Sequence, residues 1–297
     1  MSDSQIEKNE PLVSVVIPTK NSSATLEKCL ETIVKQTYKN IEIIIVDNYS
    51  TDKTTTIARN YTDKVFTIGP ERSPQVNYGV KMASGKYIYE VASDFLLEPS
   101  LIKEAVVTAE SNNYAAILVH NTSDPTVSYW AKIRKFERDM YTSDDLNVAS
   151  RFIRRDAFLS AGGFDPELIA CEDYDLHNRL IKNHSIGRIT AKEVHIGEPK
   201  SIKEVAQKHY YYGKTIYPFL RRNKWRGIKQ TVPVRKAFLK HYKEFIRHPS
   251  LAVGFTMYQI VRYFSGACGV LVSACRSSTL AKFLGYFKAF KIYNSIK

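Results

Sequence analysis

Four acidic residues and a histidine stand at positions where a folded chain could bring them to one edge of a sheet. Asp47 follows the apolar run 41-IEIIIV-46, and Asp94 follows 86-KYIYEVAS-93. Glu172 and Asp173 open 172-EDYDLHNRLIKN-183, and His195 lies in 193-EVHIGEP-199, just after a β-rich run. In open parallel sheets ligands bind outside the carboxyl ends of the strands, where loops and helix N-termini converge. Two acids there can hold a base or ribose and a divalent cation, which is what a nucleoside diphosphate requires. The cation neutralises the pyrophosphate and the charge that develops as it leaves. The same residue types have plainer uses. A strand-end Asp is an ordinary turn or cap residue, and Glu172 with Asp173 would stabilise a helix N-terminus through its dipole. Arg72, in 71-ERSPQ-75, suits either an oxyanion or a surface ion pair.

The elements that must position these groups alternate from Leu12 onward between apolar strand runs and amphipathic helices, a pattern that predicts an α/β fold with a mostly parallel central sheet. The run 12-LVSVVI-17 is stopped by Pro18, and Ser22 or Ser23 caps a helix whose apolar stripe is Leu26, Leu30, Ile33 and Val34. The run 41–46 is apolar almost throughout and reads as a strand buried on both faces. Asp52 caps the helix after 47-DNYSTDKT-54, a third strand lies near 65–68, and a helix ending at Gly85 precedes the strand that delivers Asp94. Further elements are a helix after Pro99, a strand at 115–119, an irregular region to about 147, and a helix over 172–183 that begins with acids.

Five segments, 13-VSVVIPTKN-21, 44-IIVDNYSTDKT-54, 71-ERSPQVNYGVKMASGKYIYEVASDF-95, 162-GGFDPEL-168 and 172-EDYDL-176, appear in an order and at intervals that resemble the family 2 glycosyltransferases of the GT-A fold, from about Leu12 to about Gly197. The resemblance implies roles. Asp47 would accept a hydrogen bond from the nucleobase, with Pro18, Thr19 and Asn21 lining the same pocket; Asp94 would ligate Mg²⁺ or Mn²⁺; Asp173 would be the catalytic base, with Glu172 in support. It also implies that His195 completes the metal or pyrophosphate site, a packed structural histidine being the other reading. Arg72 would meet donor phosphates, and Gly162 and Gly163 would either let the backbone turn close to the donor or end a helix. The family usually carries Asp-x-Asp where this chain has 92-ASD-94, so Ala92 replaces the first acid, beside Ser93 on the donor side.

Charge divides the chain. Residues 1 to 199 hold 23 basic and 28 acidic residues; residues 200 to 297 hold 20 and 2, a net +18. Such a basic third faces nucleic acid or lipid headgroups. The run 251-LAVGFTMYQIVRYFSGACGVLVSAC-275 is too apolar for a nucleic-acid surface, yet Gln259 and Arg262 near its middle disfavour a lipid-facing span. A hairpin or in-plane helix pair broken around Ser265 and Gly266 fits better, followed by an interfacial helix over 280–297. A buried core helix is the plainer alternative for 251–275. The polar start MSDSQIEKNE shows no secretory signal, and cysteines 29, 171, 268 and 275 have no zinc or CxxC spacing.

These readings predict a disordered segment over 1–10, a GT-A domain over 11–199, a basic amphipathic helical region over 200–248 and membrane-associated helices over 249–297. The implied protein is an inverting enzyme at the cytoplasmic face of the cell membrane. It takes a sugar from a nucleotide-sugar donor to a lipid-linked or other glycan acceptor, such as a polyprenyl-linked glycan or polyprenyl phosphate, with Mg²⁺ or Mn²⁺. Membrane lipids are the expected partner and nucleic acid is not. A donor-binding scaffold disabled at Ala92 is one alternative, and a basic nucleic-acid-binding protein is the other.

Overall fold

The computed structural model describes residues 10–276. The expected disordered N-terminus, Glu10 apart, and the expected interfacial helix over 280–297 lie outside the described residues. Val13–Thr19 (β1) and Ile41–Asp47 (β2) pair in parallel along their whole length, so that Thr19 and Asp47 finish side by side. Val65–Thr67 (β3) extends the sheet beyond β2, and Tyr87–Glu90 (β4) lies parallel on the other side of β1. β1 runs through Pro18 rather than stopping there. Its ladder with β4 ends at Val16 and Glu90, so an N–H at position 18 would have had no strand to pair with on that side.

Phe95–Leu97 (β5), Ala116–Ser123 (β6), Phe152–Arg154 (β7) and Ile186–His195 (β8) complete the order β3-β2-β1-β4-β7-β6-β8-β5. The sheet is therefore mixed and not mostly parallel. β7 runs antiparallel to both β4 and β6, and β5 antiparallel to β8. The reason for the first reversal is a helix in the stretch read as irregular, placed after the end of β6. From it the chain re-enters the sheet at the edge it has just left and must run backward.

Both faces are covered, which is why the strands are apolar on both sides. Leu26–Val34 (α1), Thr54–Arg59 (α2) and Leu101–Asn112 (α4) pack on the face of Val15, Ile17 and Tyr89. Arg72–Met82 (α3), Arg155–Ser160 (α6) and Glu172–Leu180 (α7) pack on Val16, Ile44 and Ile88. Adjacent residues of β1 thus serve opposite layers.

The helix not foreseen is Tyr129–Asp139 (α5), whose first turn is closed by Ser128 Oγ accepting from the Ala131 N–H at 2.9 Å. With Ile202–Thr215 (α8), Lys236–Lys240 (α10), Tyr242–Arg247 (α11) and Pro249–Arg276 (α12), it builds a third core around Ile133, Val205, Phe238, Phe255 and Tyr258, and Tyr217–Thr231 (α9) follows α8 in the chain. Pro218 occupies the first turn of α9, where its missing N–H costs nothing.

α12 is continuous, which corrects the expected break around Ser265 and Gly266. Small residues bring it against α8: a Cβ on Gly213 would stand 2.1 Å from the Gly266 carbonyl oxygen, and one on Gly269 would stand 2.2 Å from that of Tyr210. Its inner face buries Phe255, Tyr258 and Gln259, while Arg262 pairs with Glu137 of α5 at 2.9 Å. Its outer face leaves Val253, Met257, Ile260, Phe264 and Leu271 exposed. Among the described residues no helix is long and apolar enough to cross a membrane.

Candidate active site

At the carboxyl ends of β1 and β2, Asp47 is buried and accepts from Thr19 Oγ at 2.8 Å, from the Ser50 N–H at 2.7 Å and from Ser50 Oγ at 2.5 Å. Asn21, in the left-handed region at φ 47°, accepts the Thr51 N–H at 2.9 Å through its side-chain oxygen and donates its own N–H to Ser50 Oγ. Gln75 reaches from α3 to the carbonyls of Thr19 and Val46. Pro18, Thr19, Asn21 and Asp47 therefore form one corner, whose polar groups fix the loop over 48–51. Oδ2 of Asp47, with one donor, keeps acceptor capacity for a ligand.

Asp94 stands in the turn between β4 and β5, beyond the strand that was expected to end on it. Ser93 Oγ contacts Ser22 Oγ at 2.9 Å, while Ala92 is half-buried against the apolar layer of α1, its carbonyl accepting from the Phe95 N–H. The antiparallel register that sets Phe95 opposite His195 brings His195 Nε2 to 2.9 Å from Asp94 Oδ2, with the two rings stacked at 4.8 Å. His195 Nδ1 lies 2.8 Å from Glu198 Oε1, and that oxygen also takes Ser123 Oγ at 2.6 Å and Arg138 at 2.9 Å. Burial works against the Asp94 charge, but the hydrogen bond and charge of His195 outweigh it and hold the carboxyl below its usual range. Gly197 has no room for a side chain, since a Cβ would fall 2.0 Å from Asp94 Oδ2.

A carboxylate that holds one imidazole nitrogen and aims the other at a second carboxylate is the outer support that metal-binding histidines have. Asp94 and His195 thus fit a divalent cation as one oxygen and one nitrogen donor. Among the described residues no cluster of three or more His, Cys, Asp or Glu could hold a metal, so its shell would be completed by donor phosphate oxygens and water.

Arg72, at the start of α3, divides its guanidinium between Glu90 at 2.6 Å and Glu172 at 3.0 Å. Both acids are buried, so Glu90 is committed to this pair. Burial pushes the Glu172 carboxyl up to about 7, and the charge of Asp173 adds to the rise. Arg72 opposes that rise, but it gives its shorter contact to Glu90. Asp173, half-buried in the first turn of α7, accepts the Tyr174 N–H at 2.8 Å through one oxygen. Gly162 and Gly163, at φ 84° and 64°, end α6. There Asn77 bonds to both the N–H and the carbonyl of Phe164, and Arg179 binds the Gly163 carbonyl, so the helix-ending reading describes this turn.

Residues 14–160 match the model of Glycosyl transferase family 2. Over those residues, just under half of the chain, the protein is similar to that family. An uncharacterized glycosyltransferase of Rickettsia typhi (strain ATCC VR-144 / Wilmington) is 28% identical over 194 residues, 59% of this chain and 60% of that one, so the chain spans less than two thirds of the relative's length. Among solved structures, the mannosyltransferase PcManGT from Pyrobaculum calidifontis, in complex with GDP-Man and Mn²⁺, superposes with a TM-score of 0.55 at 16% identity, over 96% of this chain and 83% of that one. S. aureus TarS 1-349 in complex with UDP-GlcNAc gives 0.51 at 17% identity, over 89% and 90%. At such identities the likeness establishes the shared α/β GT-A-like fold.

Beside the GT-A-like domain a cavity of about 710 Å³ opens between α7 and the C-terminal helices. Arg72, Glu172 and Asp173 line it together with the apolar side chains Ile216, Leu220, Val270 and Leu271. Much of its polar wall comes from residues that the sequence reading left unassigned: Arg134 and Arg138 of α5, Lys208 of α8, Arg235 and Arg262. The signal for α5 was present in Ser128 as a cap and in Ile133, Phe136 and Met140 at helical spacing.

Proposed function

We propose that the protein is an inverting, cation-dependent glycosyltransferase that moves a sugar from a nucleoside diphosphate donor to an acceptor hydroxyl. The observation that carries this reading is that Asp47, at the end of β2, and the Asp94–His195 pair, just beyond β4, stand at the carboxyl ends of parallel strands, while Arg72 ties Glu90 at the end of β4 to Glu172, the neighbour of Asp173. The PcManGT complex with GDP-Man and Mn²⁺ and the TarS complex with UDP-GlcNAc support it through the shared fold. The Asp47 corner takes the nucleoside. Asp94 and His195 hold the cation, which supplies positive charge to the diphosphate. Asp173 takes the proton of the acceptor hydroxyl as that oxygen bonds to the anomeric carbon. The bond from carbon to phosphate oxygen breaks on the opposite side, and the nucleoside diphosphate leaves with the electron pair.

The expected result with a panel of nucleotide sugars is Mn²⁺- or Mg²⁺-dependent binding and slow hydrolysis of at least one donor. Ala92→Asp should change either quantity by no more than a few-fold, because residue 92 packs against the apolar layer beside α1. Absence of cation-dependent donor binding across the panel would overturn the reading. A sharp gain from Ala92→Asp would instead mark Ala92 as disabling.

The acceptor on this reading is lipid-linked, a polyprenyl-linked glycan whose hydroxyl meets Asp173 (a polyprenyl phosphate would attack through an already ionised oxygen and need no base there), and the enzyme works at the cytoplasmic face of the cell membrane. Support comes from the outer face of α12, where Ile260 and Phe264 are 63% and 70% exposed, set within a basic C-terminal third. Such a face suits a helix lying in the interface of an anionic bilayer. The protein should float with vesicles rich in anionic lipid and less with neutral ones, and Ile260→Asp with Phe264→Asp should release it. Equal flotation of this double variant would remove α12 from the contact.

A further inference from the structure

The 710 Å³ cavity is separated from a smaller one of about 220 Å³ by a wall that both share: Arg134, Arg138, Arg235, Arg262, Asp173 and Tyr174. Four of these six residues are arginines, and their compensation by acids is incomplete. Arg134 and Arg262 both pair with Glu137. Arg138 pairs with Glu198, whose same oxygen also holds His195. Arg235 is 5% exposed and donates to the hydroxyl of Tyr141 at 2.7 Å, its guanidinium lying over that ring; its Nε has no hydrogen-bond partner, and neither has Nε of Arg138.

Lys208 adds a fifth cation on the large cavity, facing Arg134 and Arg138 as well as Glu198 and Asp94. Arg134, Arg138 and Arg262 thus share Glu137 and Glu198, Lys208 faces Glu198 and Asp94, and Arg235 meets a hydroxyl in place of a carboxylate, with Asp173 at the rim. An enclosed guanidinium without a counter-charge is destabilised in a low-dielectric site, and a bound anion relieves that penalty. Arginine is the side chain whose planar fork best matches phosphate oxygens.

We propose that this arginine wall binds a phosphate or diphosphate group carried by the acceptor. The inference rests on the glycosyltransferase reading and adds the acceptor's chemistry to it. The anionic group sits against Arg134, Arg235, Arg262 and Lys208. The attacking hydroxyl, elsewhere on the same molecule, lies at Asp173, which borders the wall and is a base a hydroxyl needs and an ionised phosphate does not. The apolar end of the cavity, at Ile216, Leu220, Val270 and Leu271, accommodates a hydrocarbon attached to the phosphate if the acceptor is a lipid. A soluble phosphorylated acceptor would use the arginine end alone.

Titration calorimetry with inorganic pyrophosphate, in EDTA so that no cation recruits it to Asp94 and His195, tests the assignment. One pyrophosphate should bind, with affinity that falls as salt rises, and Arg235→Gln should weaken it at least tenfold. Lys208→Gln should weaken it several-fold, and since Lys208 lies on the exposed side of α8, that variant decides the matter if Arg235→Gln does not fold. Farnesyl diphosphate binding tenfold more tightly than pyrophosphate identifies a lipid acceptor, and equal affinity a soluble one; both outcomes support the anion site. Absence of pyrophosphate binding at millimolar concentration, or binding indifferent to both substitutions, overturns it. Cation-dependent nucleotide-sugar binding, measured on the same protein without EDTA and with Mn²⁺, separates the two readings: its failure alone removes the transferase and leaves the anion site standing, and its success without pyrophosphate binding does the reverse.

Discussion

Asp173→Asn is expected to lower sugar transfer by about 10²- to 10⁴-fold, the usual contribution of a positioned general base, while donor affinity stays within about two-fold. The substitution keeps the shape of the side chain and an oxygen that can accept the Tyr174 N–H, so α7 and the cavity wall should be undisturbed. What it removes is the capacity to take a proton. Glu172 cannot replace it, because its carboxyl is tied to Arg72 and buried. Glu172 does shape the pH dependence. Its carboxyl, held up at about 7, is neutral below that pH and charged above it, and the charged form adds a negative charge at the edge where positive charge develops on the transferring sugar. The transfer rate should therefore climb through pH 7. The same shift has a stability consequence of opposite sense. Between the ordinary glutamate range and pH 7 the folded chain keeps a proton that the unfolded chain has lost, so the Glu172 contribution to stability falls as pH rises across that window. Single-turnover transfer rates and donor binding, measured side by side, check the first expectation; wild-type turnover in Asp173→Asn would remove it as the base.

The Asp47 corner was legible because its residues are local to strand ends and turns. Asp47 lies at the end of an uninterrupted apolar run, and 48–51 has turn chemistry, so the pattern puts Asp47 at a strand end, and the resemblance sets Pro18, Thr19 and Asn21 beside it. The Asp94–His195 contact depends on the antiparallel placement of β5 against β8, a pairing 101 residues apart that no periodicity announces. The resemblance supplied it. Nothing local marked Arg235 and Arg262 as cavity-lining residues, since a basic residue in a basic segment reads as a solvated or lipid-facing charge. Arg262 shows the difference: the sequence reading counted it against a membrane span, and the structure explains it as a partner of Glu137 on a helix that was not foreseen. Gly213 and Gly266 were similarly ambiguous. A glycine in a long apolar helix can mark a break or a close crossing, and the choice needs the second helix.

Asp94→Ala should lower Mn²⁺-dependent donor affinity by ~100-fold or more, and Glu198→Gln should lower it less, by about 10- to 100-fold, as removal of an outer partner of a ligating histidine does. The order follows from the geometry. Asp94 would give an oxygen directly to the cation. Glu198 acts through His195, whose Nδ1 it fixes at 2.8 Å so that Nε2 points toward Asp94. A purely structural Asp94–His195 pair makes a different forecast. Alanine would then reduce thermal stability, leaving an imidazole without its partner, while Mn²⁺ titrations of the folded fraction would match the parent protein. Electron paramagnetic resonance of bound Mn²⁺ separates these cases without requiring turnover, because a lost carboxylate ligand and an uncoupled histidine change the fraction bound in different proportion. Donor affinity measured without cation should be the same for all three proteins. The loss then belongs to the cation and not to the Asp47 corner, which neither substitution touches.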